Sequence, residues 1–422
     1  MEPFDSLESE VRGYIRAFPT IFKTAQNARM TDEDGKEYID LFAGAGVMNY
    51  GHNNPTLKQA VIEYLQEDGV VHGLDMGTSA KARFLETFAK TILAPRGMSY
   101  KVQFPGPTGT NAVEAALKLA RKITGRHNVI SFTNGFHGMT LGALSVTGNA
   151  GKRESARISL PSARSMPYSD FLDSPEEGLK VLERFLSEGA SGMDKPAAFI
   201  VETVQGEGGI RPADFEWLKG IARLAKEHGI LLIVDDIQMG CGRTGPFFSF
   251  EPAGIQPDIV VMSKAIGAMG LPLAIVLMKP EHDIWGPGEH NGTFRGHNLA
   301  FVAATKAIET FWADDKFQKE AEAKGKMVAE RMQKIAKAHK DKGVTTRGRG
   351  MVHGVVCQPA DMGGEICREM FKRGVIMETA GFHDEVAKLM PPLTIDKADL
   401  EKGLDLLEEV VAEVAERHGR AA

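Results

Sequence analysis

GILLIVDDIQMGCGRTG, residues 229–245, opens as an uninterrupted apolar run and ends its first segment in two aspartates. A short apolar run rich in branched residues and bounded by Gly and Asp reads as a strand buried on both faces, as in a parallel sheet. Residues 229–235 are therefore a predicted central strand. The same signature recurs at 101–104 (KVQF), 128–132 (NVISF), 197–202 (AAFIVE) and 258–263 (DIVVMS). Between these runs lie helical periodicities. In 111–123, Val113, Ala116, Leu117 and Ala120 fall on one face, and 214–228 leads straight into the 229–235 strand. Strands alternating with helices predict an α/β fold, a doubly wound and mostly parallel sheet in a large domain. Around it, ARMTDEDGKEYIDL (28–41) carries an Asp-Gly turn between two strand-like runs, the signal of a hairpin. From about 311 the pattern changes to a long charged helix (315–342), a Gly-rich strand region and a final helix (397–417). The expected division is an N-terminal segment of a small domain (1–60), a large domain (61–310) and a C-terminal α+β small domain (311–422).

Composition narrows the function. The chain has 422 residues, 50 Lys and Arg against 56 Asp and Glu, and 43% hydrophobic residues, which is the make-up of an ordinary globular protein. It offers no basic run for nucleic acid and no apolar stretch of about 20 residues for a membrane span, and its start is acidic and polar, so a cytoplasmic enzyme acting on small molecules is expected. Cys241, Cys357 and Cys367 are widely spaced and the 12 His scattered, so neither disulfides nor a metal site is expected.

In open α/β sheets ligands bind beyond the carboxyl ends of the strands. At those ends the sequence places a Gly/Thr-rich helix start (Gly109, Thr110, Asn111), TNGFHG with Phe136, Glu202 running into TVQGEGG, the pair Asp235-Asp236, and Lys264. A helix start offers unpaired N–H groups to a phosphate without needing a lysine. A carboxylate ending a central strand is costly unless it meets a cation, such as a pyridinium N–H. A lysine after a buried strand has its pKa lowered by desolvation, which suits it to imine formation and proton transfer. GCGRTG (240–245) matches the dinucleotide pattern, but Pro246 and three Phe come within five residues instead of a helix, which argues against a nicotinamide or flavin site.

Together, VDDIQMGCGRTG (234–245), SKAIGAMGLP (263–272), TGTNAVEAALKLAR (108–121), NGFHGMT (134–140), VETVQGEGG (201–209) and GTFRGHNLAFVAA (292–304) resemble the class III pyridoxal-phosphate aminotransferases. The resemblance implies fold type I, pyridoxal 5′-phosphate as cofactor and ping-pong transamination. It puts Lys264 at the lysine that holds the cofactor covalently and Asp235 at the partner of the pyridine nitrogen. Gln238 falls at a contact to the phenolic oxygen, Gly109 and Thr110 in the phosphate loop, Phe136 on the ring, His137 after it, and Glu202 behind the site. Thr293 matches a residue that reaches the phosphate of the neighbouring subunit, which implies a homodimer or a larger homo-oligomer.

Two departures bear on substrate. Met139 stands where members acting on ornithine derivatives or 4-aminobutyrate carry an arginine, and Lys388 replaces the arginine before the PPL segment that binds the glutamate α-carboxylate. Lysine lacks the bidentate fork of the guanidinium. Within the family the pattern looks most like the members of ectoine synthesis, implying L-glutamate as donor, L-aspartate 4-semialdehyde as acceptor, and L-2,4-diaminobutyrate and 2-oxoglutarate as products. Glu207 lies where some members keep a gating glutamate, so Glu207 and Lys388 are expected to form a switchable pair. The alternatives are a general aminotransferase of the ornithine or 4-aminobutyrate type and an aminomutase.

Overall fold

The small sheet begins at once: β1 (Phe22–Gln26), β2 (Arg29–Asp32) and β3 (Glu37–Asp40) form an antiparallel meander in the computed structural model, which describes residues 2–419. Gly35, at φ +84°, makes the turn read from Asp34-Gly35. The seven strands of the large sheet come next: β4 (Lys101–Gln103), β5 (Val129–Phe132), β6 (Ala163–Met166), β7 (Ala198–Glu202), β10 (Leu231–Asp235), β11 (Ile259–Met262) and β12 (Ile275–Met278). A two-stranded hairpin, β8 (Val204–Gln205) and β9 (Arg211–Pro212), interrupts them. Their spatial order is β4-β12-β11-β10-β7-β5-β6, and β12 alone runs antiparallel to its neighbours.

The strand alternation is what makes the sheet doubly wound. Leu231 and Ile233 of β10 join the core under the helix Gly109–Thr124, while Leu232 and Val234 join the core on the other face, with Trp217, Ile221 and Leu224 of the helix Phe215–Glu227. Period-two side chains on a strand buried on both sides give this division. All residues of β7, β10 and β11 are buried, which accounts for their unbroken apolar runs. Asp214 caps the helix after it, accepting from the N–H groups of Glu216 and Trp217.

The C-terminal part carries the helix Lys316–Ala338, then β13 (Val344–Arg349), β14 (Val352–Cys357), β15 (Val375–Ile376), β16 (Glu378–Ala380), β17 (Val386–Leu389) and the helix Lys397–Gly419. The long helix stops short of 342, because Lys340–Lys342 form a tighter turn closed by Gly343 at φ +75°. β13, β14, β17 and β16 form one sheet, whereas β15 crosses to lie parallel to β3. The small α+β unit is thus assembled from both ends of the chain. The three cysteines are free and buried, and among the described residues no helix is long and apolar enough to cross a membrane.

Candidate active site

Parallel strands bring their carboxyl ends to one lip, and there the register sets Asp235 beside Glu202 while Lys264 comes two residues after β11. Gly109, Thr110, Phe136, His137, Met139, Glu202, Glu207, Asp235, Gln238 and Lys264 line one cavity of about 330 Å³, whereas Asn111, whose side chain turns back to Thr108, and Asp236, Thr293 and Lys388 do not. Lys388 lies directly behind Glu207, and Thr293 lies outside the cavity on an exposed loop, where its carbonyl meets His72 Nε2 at 3.0 Å.

The floor is a buried chain of titratable groups. His137 Nδ1 donates to Asp235 Oδ2 at 2.7 Å, and Asp235 Oδ1 accepts from the N–H of Ile237 at 3.2 Å. Burial disfavours the imidazolium, but the hydrogen bond and charge of Asp235, with the charge of Glu202, outweigh it and raise the pKa of His137. Glu202 accepts from the N–H groups of Phe136 (2.9 Å) and Gly206 (3.3 Å). Its burial is the larger effect and pushes its pKa up to about 7. Asp236 points away, into Ser249, and burial lifts it to about 7 as well.

Lys264 occupies the left-handed region at φ +53°, an uncommon conformation for a side chain of its length. Its Nζ donates to the carbonyl of Ala45 at 3.0 Å. That carbonyl is aimed by a run of positive φ at Ala43, Gly44 and Ala45, and it also accepts Gln238 Nε2 at 3.0 Å. Burial first, and then the nearby ammonium of Lys388, lower the pKa of Lys264 against the opposing carboxylates. The result is a buried amine more easily deprotonated than an ordinary lysine.

At the other end, the helix Gly109–Thr124 starts earlier than its periodicity suggests, with Thr108 at the N-cap. The first-turn N–H groups of Gly109 and Thr110 have no carbonyl within the helix to reach, so they face the cavity as anion donors. The Thr110 hydroxyl bonds that of Thr140 at 2.7 Å, and Thr140 in turn donates to Glu114 at 2.5 Å. A cavity with anion donors at one end, a buried carboxylate on its floor, an aromatic wall in Phe136 and an activated amine fits pyridoxal phosphate. Met139 is half exposed at the rim.

Glu207 sits in the turn between β8 and β9, where Gln238 Nε2 (3.0 Å) and Lys388 Nζ (2.8 Å) both donate to its Oε1. Burial opposes its charge, but the ammonium groups of Lys388 and Lys264 hold its pKa at about 2. Lys388 makes a second ion pair, to Glu378 Oε1 at 2.6 Å. Sequence reasoning misses Glu378, because its link to Lys388 is a cross-strand pairing of β16 with β17. It also misses the Ala45 carbonyl, since nothing in a side chain marks it.

GCGRTG serves the scaffold. Arg243 within it is fully buried and donates to the carbonyls of Met351 (3.0 Å) and Pro391 (2.5 Å) and to Asn49 Oδ1 (2.5 Å), tying the large sheet to both ends of the chain. Burial lowers its pKa to about 9.

The Aminotransferase class-III family matches residues 13–411. A diaminobutyrate–2-oxoglutarate transaminase from Nocardia farcinica is 59% identical over 417 residues, covering 99% of this chain and 95% of that protein. One of the same name from Bordetella parapertussis is 54% identical over 420 residues, covering 99% and 97%. Among solved structures, the ornithine aminotransferase from Toxoplasma gondii ME49 superposes with a TM-score of 0.85 at 24% identity, covering 98% of this chain and 94% of that one. An S-selective transaminase from Arthrobacter sp. does so with a TM-score of 0.86 at 22% identity, covering 98% of each. These two likenesses establish the fold.

Proposed function

Since this chain belongs to the class III aminotransferases and is a pyridoxal-phosphate-dependent enzyme, we propose that it converts L-aspartate 4-semialdehyde and L-glutamate to L-2,4-diaminobutyrate and 2-oxoglutarate by a ping-pong mechanism. The observation that carries the substrate class is the charge state of the cavity wall around Glu207. Among the described residues no Lys or Arg other than Lys264 lines the cavity, Met139 presents a thioether at the rim, and the nearby cation Lys388 is neutralised behind Glu207. Such a wall accepts a terminal aldehyde or primary amine, which brings no carboxylate next to its reacting carbon. The 59% and 54% identical relatives carry the name of that reaction.

When bound, pyridoxal phosphate supplies the electron sink that stabilises negative charge on the carbon losing its proton. The chain does the rest. Gly109 and Thr110 would hold its phosphate with their first-turn N–H groups, and Phe136 would supply an aromatic wall for the ring. Asp235, kept in place by His137 and the Ile237 N–H, would partner the ring nitrogen. Gln238, fixed by Ala45 and Glu207, would be available to hydrogen-bond the cofactor's phenolic oxygen, and the charge of Glu202 supports His137. Lys264 would hold the cofactor through Nζ, and that amine, with its lowered pKa, is suited to move a proton at the substrate carbon. Thr293, outside the cavity of its own chain, serves the site of a second copy, so the active unit is a homodimer or a larger assembly. The same reading puts the enzyme in the cytoplasm, in ectoine synthesis, with domains at 1–60, 61–310 and 311–422.

The deciding experiment is a half-reaction. The purified holoenzyme, without keto acid, is mixed separately with L-glutamate, L-2,4-diaminobutyrate and 4-aminobutyrate, and the cofactor's visible absorbance is tracked. Rapid change with the first two alone is the expected result. Efficient change with 4-aminobutyrate would replace the proposal with a general ω-amino-acid aminotransferase, and no change with any would favour an aminomutase.

A further inference from the structure

Glu207 and Glu378 hold the same ammonium but by different means. Glu207 belongs to a turn containing Gly206, Gly208 and Gly209, its side chain is 25% exposed to the cavity, and it can leave by rotating its own side chain. Glu378 is directly opposite Lys388 in the antiparallel ladder of β16 and β17, one residue pair from Thr379 and Ala387, and only 8% exposed. Cross-strand partners on one face stay within reach for as long as the ladder persists. Lys388 itself is wholly buried, so it does not exchange one of its carboxylates for water.

A glutamate α-carboxylate next to the reacting carbon needs a cation on that wall, and Lys388 is the one that stands behind it. If a substrate displaces Glu207, what it meets is an ammonium still bound to Glu378. We propose that Glu378 is a specificity-determining residue: as the fixed counter-ion of Lys388 it weakens the site for α-carboxylates and so keeps α-amino acids from outcompeting the terminal amine or aldehyde. This rests on the functional reading above. With Glu207 displaced, the ammonium is still paired with Glu378, so an incoming α-carboxylate meets a cation already offset by a carboxylate and gains less than it would from an unpaired one.

The test compares wild type with Glu378→Gln, which keeps the acceptor oxygen and removes the charge. Half-reaction KM values are measured for L-glutamate and L-2,4-diaminobutyrate, and the Kd of the unreactive dicarboxylate glutarate is measured by calorimetry on the holoenzyme. The expected result is a shift of the KM ratio by about tenfold in favour of glutamate, corresponding to ~1.4 kcal/mol, with glutarate binding tightened comparably. Glu378→Asp, which withdraws the carboxylate but keeps its charge, should move both quantities the same way by less, and it serves if the glutamine variant does not fold. An unchanged ratio with unchanged glutarate affinity, or a shift toward diaminobutyrate, overturns the proposal. Failure of wild type to convert either amino acid would refute the functional reading instead, while the glutarate measurement would still decide the role of Glu378.

Discussion

Alanine at Gly206 is the most discriminating perturbation of the site. A Cβ there would fall 1.6 Å from Gln238 Oε1, so the Gln238 amide must move. It would give up its bonds to the Ala45 carbonyl and to Glu207, both 3.0 Å. The displaced atoms are the far end of a flexible side chain at a cavity wall, where water can take over the lost partners, so the stability cost is only about 1 to 2 kcal/mol. Cofactor binding suffers more. On the proposed role of Gln238, its displaced amide would no longer reach the ring oxygen, and loss of a hydrogen bond to a charged group, roughly 1.5 to 3 kcal/mol, corresponds to a Kd weaker by tenfold or more. Gly208→Ala is the control, since its Cβ would meet the backbone carbonyl oxygen of Asn134 at 2.3 Å and nothing there can rotate aside. Calorimetric titration of the apoenzyme with pyridoxal phosphate, alongside urea unfolding, separates the two. Gly206→Ala should bind weakly with a nearly wild-type midpoint, and Gly208→Ala should lose stability first. Wild-type affinity in Gly206→Ala would refute the placement of Gln238 against the cofactor.

Three further outcomes are expected. Glu207, held at about 2 by Lys388 and Lys264 against an ordinary value of 4.5, contributes stability that is present above pH 4.5 and is lost as pH falls through about 2. It amounts to about 3 kcal/mol, and acid unfolding of Glu207→Gln should lack that part of the slope. Lys388→Met takes from Glu207 and the buried Glu378 the ammonium they share, leaving only the more distant charge of Lys264, and should cost about 3 kcal/mol in urea unfolding, part of which Lys388→Met combined with Glu378→Gln recovers. Lys264→Ala should abolish transamination and leave no cofactor covalently attached after borohydride, as read by mass spectrometry; label retained elsewhere would displace Lys264 from its role.

Strands buried on both faces announce themselves as apolar runs, and so β5, β7, β10 and β11 are legible with the chemistry at their carboxyl ends. β6 is not, because as an edge strand it buries only Met166 fully and carries Arg164 and Ser165 exposed. β12 is fully buried, but a run such as Ile275–Met278 contains nothing that fixes its direction, and its antiparallel setting has no signal. Asp235, Lys264 and Glu202 can be found from position alone. Glu378 and the Ala45 carbonyl cannot, since one depends on the β16–β17 register and the other on backbone dihedrals. The helix-breaking Pro246 is enough to take Arg243 out of a nucleotide site, yet its bracing role depends on partners more than 100 residues away.

The pairing of β3 with β15 sets a timetable for biosynthesis. β3 leaves the ribosome roughly 335 residues before Val375, the partner of Ile39, is made. At a synthesis rate of roughly 5 to 20 residues per second, the edge of β3 waits on the order of 20 to 70 s with its N–H and C=O groups open to any other strand. The large sheet, complete by Met278, can form in that interval, whereas the small unit cannot close until its last third emerges. A nascent chain stalled between 280 and 370 would therefore present a finished cofactor-binding sheet beside an unpaired strand, the state in which this protein most needs a chaperone.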